Sequence, residues 1–404
     1  MSSFTEIPGG ITAPQGFLAG SAYCGIKAAN KSRPDIAMIC SPQPTQVAAT
    51  FTTNRVKAAP VRVSQTHLRT ADVRAIVANA GNANACTGLA GLETAKRMAR
   101  AAAGALGIKD RQVMVCSTGR IGVPLPIAKV EATIGEKFPG ALSGDGSGKA
   151  AAAIMTSDTF AKEYAVECEI GGQTVRIGGI AKGAGMIDPN MATMLCFLAT
   201  DAAIGKELLQ RALSVSVEQS FNRITIDGDM STNDTVILLA NGLAGNKPLR
   251  TSSGDLKIFQ RALDQVTQAL AYMIVEDGEG VTKFVEVQVN GASNYSDARK
   301  AAEAVAKSSL VKCAWFGCDP NWGRIMDAIG YSTAKVREEL VDIYYDGVAA
   351  VKGGIASSTP AAKLRQLVAA KRFKVTIDLH LGAGEYTVYT TDLSVDYVKL
   401  NMGE

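Results

Sequence analysis

Short apolar runs and a few helical stretches interleave along the whole chain, with glycine at the joints and no strict strand–helix–strand period. That pattern predicts an α/β layered fold with mixed sheets. Expected strands cover 35–40, 75–79, 112–116, 164–170, 174–177, 193–200, 235–240, 284–289, 341–345, 373–381 and 384–390. Val-Thr-Ile-Asp-Leu-His-Leu (375–381) alternates as a half-buried strand should. Helical periodicity is clear over 92–106, 206–220, 256–273 and 296–310, the last with a serine cap before Asp297. Residues 140–149, rich in Gly and Ser, form the best candidate flexible loop.

A length of 404 residues suggests two or three domains. Forty-two basic against 38 acidic residues leave a net charge of +4, too small to argue for a nucleic-acid or membrane partner. No apolar run approaches the roughly 18 residues of a membrane span. The segment 1–17 lacks a basic start followed by an apolar core, so no signal peptide is expected. Only two histidines, His67 and His380, are present, which leaves little for Ser-His-Asp triads or multi-His zinc sites. The eight cysteines form no CxxC pair and read as buried free thiols of a reducing cytoplasm.

Several segments can carry chemistry. Residues 178–201, GGIAKGAGMIDPNMATMLCFLATD, run from glycines through Pro189 to Thr193 at a loop-to-strand junction. Such a junction presents a nucleophile well; it equally suits a turn feeding a buried strand. Cys116-Ser117-Thr118-Gly119-Arg120 follows a strand, and its Thr hydroxyl and backbone N–H groups suit a developing oxyanion or a plain turn. Gly144–Lys149 lacks the full phosphate-loop pattern, because Ala150 follows Lys149. Glu279 stands between Gly278 and Gly280, open to a substrate ammonium or to solvent. The polar run FNRITIDGDMSTND (221–234) fits a metal or turn capping equally well. In GCDPNWGR (317–324), Trp322 and Arg324 read as a packing anchor.

Together these stretches are specific. KGAGMIDPNMATML (182–195) resembles the autocleavage and nucleophile motif of the ornithine acetyltransferases, also called glutamate N-acetyltransferases, of arginine biosynthesis. The resemblance extends to TAPQGF (12–17), FTTNRVKAAPV (51–61), GNANACTG (81–88), STGRIG (117–122), IMTSDTF (154–160), NRITIDGDMSTNDTV (222–236), DGEGVTK (277–283), GCDPNWGR (317–324) and YTTDLSVDYVKLN (389–401). They come in the family's order and span nearly the whole chain.

The resemblance implies self-cleavage between Ala192 and Thr193 by an N-to-O acyl shift and hydrolysis. This leaves an alpha chain of 1–192 and a beta chain of 193–404, the latter including a smaller C-terminal α/β domain from about 285. It implies a layered αββα-like core built from both chains. The freed Thr193 amine, with a pKa of about 8, can serve as base for its own hydroxyl, so histidine is not required. Ping-pong transfer would then move acetyl from N2-acetylornithine to Thr193 and on to glutamate. Some members also draw on acetyl-CoA, and no local motif here separates the two modes.

Carried over residue by residue, Thr193 is the nucleophile, and Thr118 and Gly119 form the oxyanion hole. Thr156, Lys182, Thr193, Glu279 and Asn401 bind substrate. Lys182 suits the α-carboxylate and Glu279 the ornithine ammonium. No metal or organic cofactor is needed. The family's assembly implies a heterotetramer of two alpha and two beta chains in the cytoplasm, with no nucleic-acid or membrane partner. Two departures stand out. The sequence ends at Glu404, short of the terminal hydroxyl residue usual in the family, and Arg120 replaces an apolar residue. A self-processed aminopeptidase or amidase of related fold and a non-catalytic small-molecule binding protein are the alternatives. The ordered motifs and Lys182 weigh against the first; Thr193, Thr118 and Gly119 together weigh against the second.

Overall fold

In the computed structural model, residues 4–27, 33–70, 72–188, 194–251 and 253–402 are described. They divide into two units: Met1–Gly183, Asn190–Asn222 and Met230–Ile274 form the first, and Ala184–Pro189, Arg223–Asp229 and Val275–Glu404 the second.

The first unit contains two sheets. One has six strands in the order Thr5–Glu6, Lys162–Ile170, Gln173–Lys182, Leu195–Thr200, Thr235–Ala240, Gln46–Phe51. Only its Leu195–Thr200 and Thr235–Ala240 pair is parallel. The other has four, in the order Leu18–Ala22, Ile36–Cys40, Ala75–Asn82, Val113–Arg120, the last two parallel. The strands read as unbroken apolar runs because both faces are buried. Ala37, Ile39, Ile76, Ala78 and Met114 of the smaller sheet share one core with Leu195, Phe197, Ala199, Ile237 and Leu239 of the larger. Ile36, Met38, Val77 and Val115 face the other way, onto helices Ala59–Thr70, Gly88–Leu106 and Ile127–Ala141. On the far side of the larger sheet, Gln210 of helix Lys206–Gln219 bonds both the N–H and the C=O of Ala49. The result is the expected mixed α/β layering, helix–sheet–sheet–helix.

The second unit has a six-stranded sheet in the order Ile355–Ala356, Val348–Lys352, Asp342–Tyr345, Arg372–Asp378, Phe284–Ala292, Gly384–Thr391. Val285, Val287 and Val289 alternate onto a face covered by helices Tyr295–Lys307, Ser309–Phe316 and Trp322–Tyr331. Trp315 packs edge-on against Phe373, with ring centroids 6.0 Å apart. Trp322 packs at the margin of this core, and Arg324 donates to the Leu310 carbonyl at 2.8 Å.

Four expectations change. Residues 140–149 are no flexible loop. The helix Ser147–Ile154 begins there, and buried Ser147 accepts from Ile11 N at 3.0 Å and donates to Glu163 at 2.6 Å. A Cβ at Gly146 would sit 1.8 Å from the Ala19 carbonyl oxygen, so this glycine serves close packing. The helix expected over 296–310 is capped by Asn294, which accepts from Asp297 N at 2.9 Å, and not by a serine. It ends at Lys307, where extended Ser308 caps a separate helix, Ser309–Phe316. Finally, all the cysteines are free, but Cys86 and Cys313 are exposed. No helix among the described residues is long and apolar enough to cross a membrane.

Candidate active site

The first unit assembles four of the anticipated residues, Thr118, Gly119, Thr156 and Lys182. Val113–Arg120 ends in Ser117, Thr118 and Gly119. Gly119 has a φ of +129°, and a Cβ there would lie 2.3 Å from the Gly81 carbonyl carbon. Only glycine permits that approach, and the ladder to Ala75–Asn82 is irregular at this point. Buried asparagines brace the turn. Asn79 accepts from the Ser117 hydroxyl at 2.6 Å and donates to the Asn82 carbonyl at 2.9 Å. Asn233 donates to the Ser117 and Ala83 carbonyls at 2.8 and 2.7 Å.

Lys182 closes the strand Gln173–Lys182 and is 3% exposed. Its ammonium donates to Thr156 Oγ1 at 2.7 Å and Thr118 Oγ1 at 3.3 Å, and lies 3.9 Å from Asp158 Oδ2. The Asp158 Oδ1 atom pairs with fully buried Lys162 at 2.8 Å and accepts from Gly183 N at 2.7 Å. Asp158 Oδ2 accepts from Thr156 N at 2.9 Å. Burial pushes the Asp158 carboxyl up, but Lys182, Lys162 and the Gly183 amide outweigh it and hold the group well below the usual carboxylate range. Two ammonium groups thus share one carboxylate in a dry place. Lys27, bonded to the Pro34 and Ala153 carbonyls, is a third lysine within electrostatic range of Lys182. Burial and the charges of Arg33 and Lys182 bring Lys27 down to about 8, against Asp35 and Asp158.

This arrangement has chemical consequences. The Thr118 hydroxyl accepts from Lys182, and among the described residues its own proton has no acceptor. A hydroxyl held so can donate to a developing oxyanion. Arg120 is exposed beside it. The anticipated cleavage residues Ala192 and Thr193 lie outside the described residues, as does Pro189.

The second unit brings together the other two. Glu279 N donates to the Ala184 carbonyl at 2.8 Å, and the Glu279 carboxylate fills the space that a Cβ on Gly185 would need. Asn401 Nδ2 donates to Glu279 Oε2 at 2.9 Å and to the Tyr397 carbonyl at 3.0 Å. A Cβ on Gly280 would come within 2.5 Å of Tyr397 N, so this glycine admits the helix Val395–Leu400. Within 221–234, Asp227 does turn work: it takes the Met186 and Ile187 amides at 2.6 and 2.9 Å. The sequence reading assigned no role to Asp158, Lys162 or Asn233. Two of these lie inside recognised motifs, but their burial and pairing are visible only in three dimensions.

Fold and cluster define the class: a layered α/β protein with a buried site lined by lysine and hydroxyl groups. A family model described as the ArgJ family matches residues 18–403. The arginine biosynthesis bifunctional protein ArgJ of Geobacter sulfurreducens is 50% identical over 388 residues, covering 95% of this chain and 98% of its own. The glutamate N-acetyltransferase of Methanocaldococcus jannaschii is 46% identical over 406 residues, covering 98% of each chain. A crystal structure of the arginine biosynthesis bifunctional protein ArgJ from Bacillus halodurans matches at 41% identity with a TM-score of 0.50. It covers 52% of this chain and 98% of its own. The chain belongs to the ArgJ family.

Proposed function

We propose that this chain is an acetyltransferase of arginine biosynthesis that moves acetyl from N2-acetylornithine to glutamate through an ester on Thr193. The observation that carries the reading is the Lys182 ammonium bonded to both the Thr118 and Thr156 hydroxyls beside the Gly119 turn. A carbonyl placed there meets a hydroxyl donor backed by an ammonium group, which stabilises a tetrahedral oxyanion.

The chain first cuts itself between Ala192 and Thr193, giving 1–192 and 193–404. That the solved Bacillus halodurans chain, nearly whole, accounts for about half of this one supports two mature chains. The new Thr193 amine takes the proton of its own hydroxyl as that oxygen attacks the acetyl carbonyl. Ornithine leaves with the nitrogen proton restored, and the glutamate amine then takes the acetyl group by the reverse chemistry. Thr118 and the Gly119 N–H hold the oxyanion, Lys182 and Thr156 the substrate α-carboxylate, and Glu279 with Asn401 the ornithine ammonium. The reaction needs no metal or organic cofactor. The working assembly is a heterotetramer of two alpha and two beta chains in the cytoplasm.

The test is steady-state transfer with acetylornithine and glutamate both varied. Parallel reciprocal plots, with a Thr193→Ala chain that stays uncut and inactive, support the reading. Acetylornithine hydrolysis that ignores glutamate refutes it in favour of an amidase. Acetyl-CoA as comparison donor shows whether the chain also starts the pathway.

A further inference from the structure

Glu279 sits in the turn 277–283, directly before the strand Phe284–Ala292. Phe284 pairs with Thr391 in the antiparallel ladder, so that turn lies beside the residues that follow the strand Gly384–Thr391. Asp392 comes first among these and is 2% exposed. Its Oδ1 accepts from Thr282 N at 2.9 Å and Lys283 N at 3.1 Å, and its Oδ2 accepts from the Thr282 hydroxyl. Ser394 donates to the Gly280 carbonyl and accepts from Tyr397 N at 3.1 Å, which caps the helix Val395–Leu400. The chain on either side of Asp392 is anchored in turn. Buried Lys312 donates to Thr390 Oγ1 at 3.2 Å and Thr391 Oγ1 at 3.0 Å, and its carbonyl accepts from Leu393 N at 3.3 Å.

We propose that Asp392 is a positioning residue for Glu279: by holding the 282–283 amides it fixes the turn on which Glu279 selects an amino acid with a side-chain ammonium. The inference rests on the ammonium role proposed above for Glu279. A carboxylate on a free turn would wander with the backbone and with its own side-chain torsions. Here the backbone is held at 279 by the Ala184 carbonyl, at 280 by Ser394 and at 282–283 by Asp392. The side chain is confined by Gly185, where a Cβ would stand 2.6 Å from Glu279 Oε2, and by Asn401. An ammonium–carboxylate hydrogen bond needs about 2.7–2.9 Å, so a shift of the turn by about 1 Å loses it. A carboxylate suits the holding task, because one oxygen can take two consecutive amides while the other takes the hydroxyl.

Two ligands separate this role from general packing: ornithine, and L-norvaline, which is ornithine without its side-chain ammonium. Their affinities for the full-length wild-type enzyme and its variants are measured by calorimetry. Asp392→Ala is expected to lower the preference for ornithine over norvaline at least ~10-fold, with norvaline affinity unchanged. Asp392→Asn should recover most of it, because its amide oxygen can still take both N–H groups. In a Glu279→Gln background, Asp392→Ala should cost no further preference. A wild-type preference in Asp392→Ala, equal weakening of both ligands included, overturns the inference. So does an Asn variant as poor as the Ala variant, which would place the effect in the lost charge that favours the buried Lys312 ammonium. If the Ala variant does not fold, Thr282→Val decides, since it removes only the hydroxyl's bond to Asp392: a lowered preference supports the inference and an unchanged one overturns it. A Glu279→Gln enzyme that keeps the full preference removes the ammonium role itself. One that loses it, beside an indifferent Asp392→Ala, removes only the positioning role of Asp392.

Discussion

Replacing Asp158 by Asn removes a carboxylate that Lys162 and Lys182 share. Lys162 has no exposed surface, and the pair distance is 2.8 Å. Removing one partner of a buried ion pair costs about 3–5 kcal/mol, because the other charge is left without compensation. The Asn oxygen can still accept from Gly183 or Thr156, which places the expectation toward the lower figure. At about 2–4 °C per kcal/mol, thermal unfolding should fall by at least ~6 °C. The sign with pH follows from the depressed carboxyl. Its contribution is present above the unfolded-state value of about 3.9 and is lost as pH falls through the folded-state value. The gap between wild type and variant should therefore be full at pH 7 and shrink below about pH 4. Thermal unfolding of wild type, Asp158→Asn, Lys162→Met and the double variant tests this, with all chains in one cleavage state. The double variant should be more stable than Asp158→Asn alone, since both halves of the pair are gone. Additive losses, or an unchanged midpoint for Asp158→Asn, would refute the claim that this carboxylate offsets the buried ammonium groups.

Other expectations follow from the same geometry. Thr118→Val removes one proposed oxyanion donor and should lower kcat about 100- to 1,000-fold with little change in KM, read by steady-state kinetics. Lys182→Met should lower kcat/KM for acetylornithine by at least ~30-fold, the equivalent of losing one buried charged contact of about 2 kcal/mol. Glu279→Gln should weaken acetylornithine binding while leaving the glutamate half-reaction less affected; full retained affinity, measured by calorimetry, counts against an ammonium site. In the second unit, burial brings Lys312 down to about 7, opposed by Asp392 and Asp227. A lysine lowered this way destabilises the fold most below pH 7, and the cost is relieved as pH rises toward its unfolded value of about 10.4. Lys312→Met should therefore look better relative to wild type at pH 6 than at pH 9 in thermal melts. The comparison must be read as this difference, because Lys312 also donates to Thr390 Oγ1 and to Thr391.

The sequence located the strands buried on both faces well, because runs such as Thr235–Ala240 are apolar without interruption. It missed Leu18–Ala22 and Gln46–Phe51, whose small residues carry little β signal. In Leu18–Ala22 the small size has a tertiary cause: a Cβ on Gly20 would lie 2.4 Å from the Ala141 carbonyl oxygen. Helix Ala59–Thr70 was hidden by Pro60, which is tolerated near a helix start, and by its polar exposed face. At the site, motif residues Thr118, Thr156 and Lys182 were legible, and the structure brings them together, as it does Glu279 and Asn401. The charge balance was not legible. Asp158 and Lys162 look like ordinary surface charges in a string of letters, and only burial shows them paired beside Lys182.

The central claim is that Thr193 becomes a free N-terminal nucleophile that carries acetyl. Its most direct test is the intact mass of the denatured wild-type protein after incubation with acetylornithine alone, then after adding glutamate. The account predicts two chains, 1–192 and 193–404, the second beginning Thr-Met-Leu-Cys-Phe and bearing one acetyl group that glutamate removes. A single uncut chain of 404 residues, or two chains that never take the acetyl group, would contradict it.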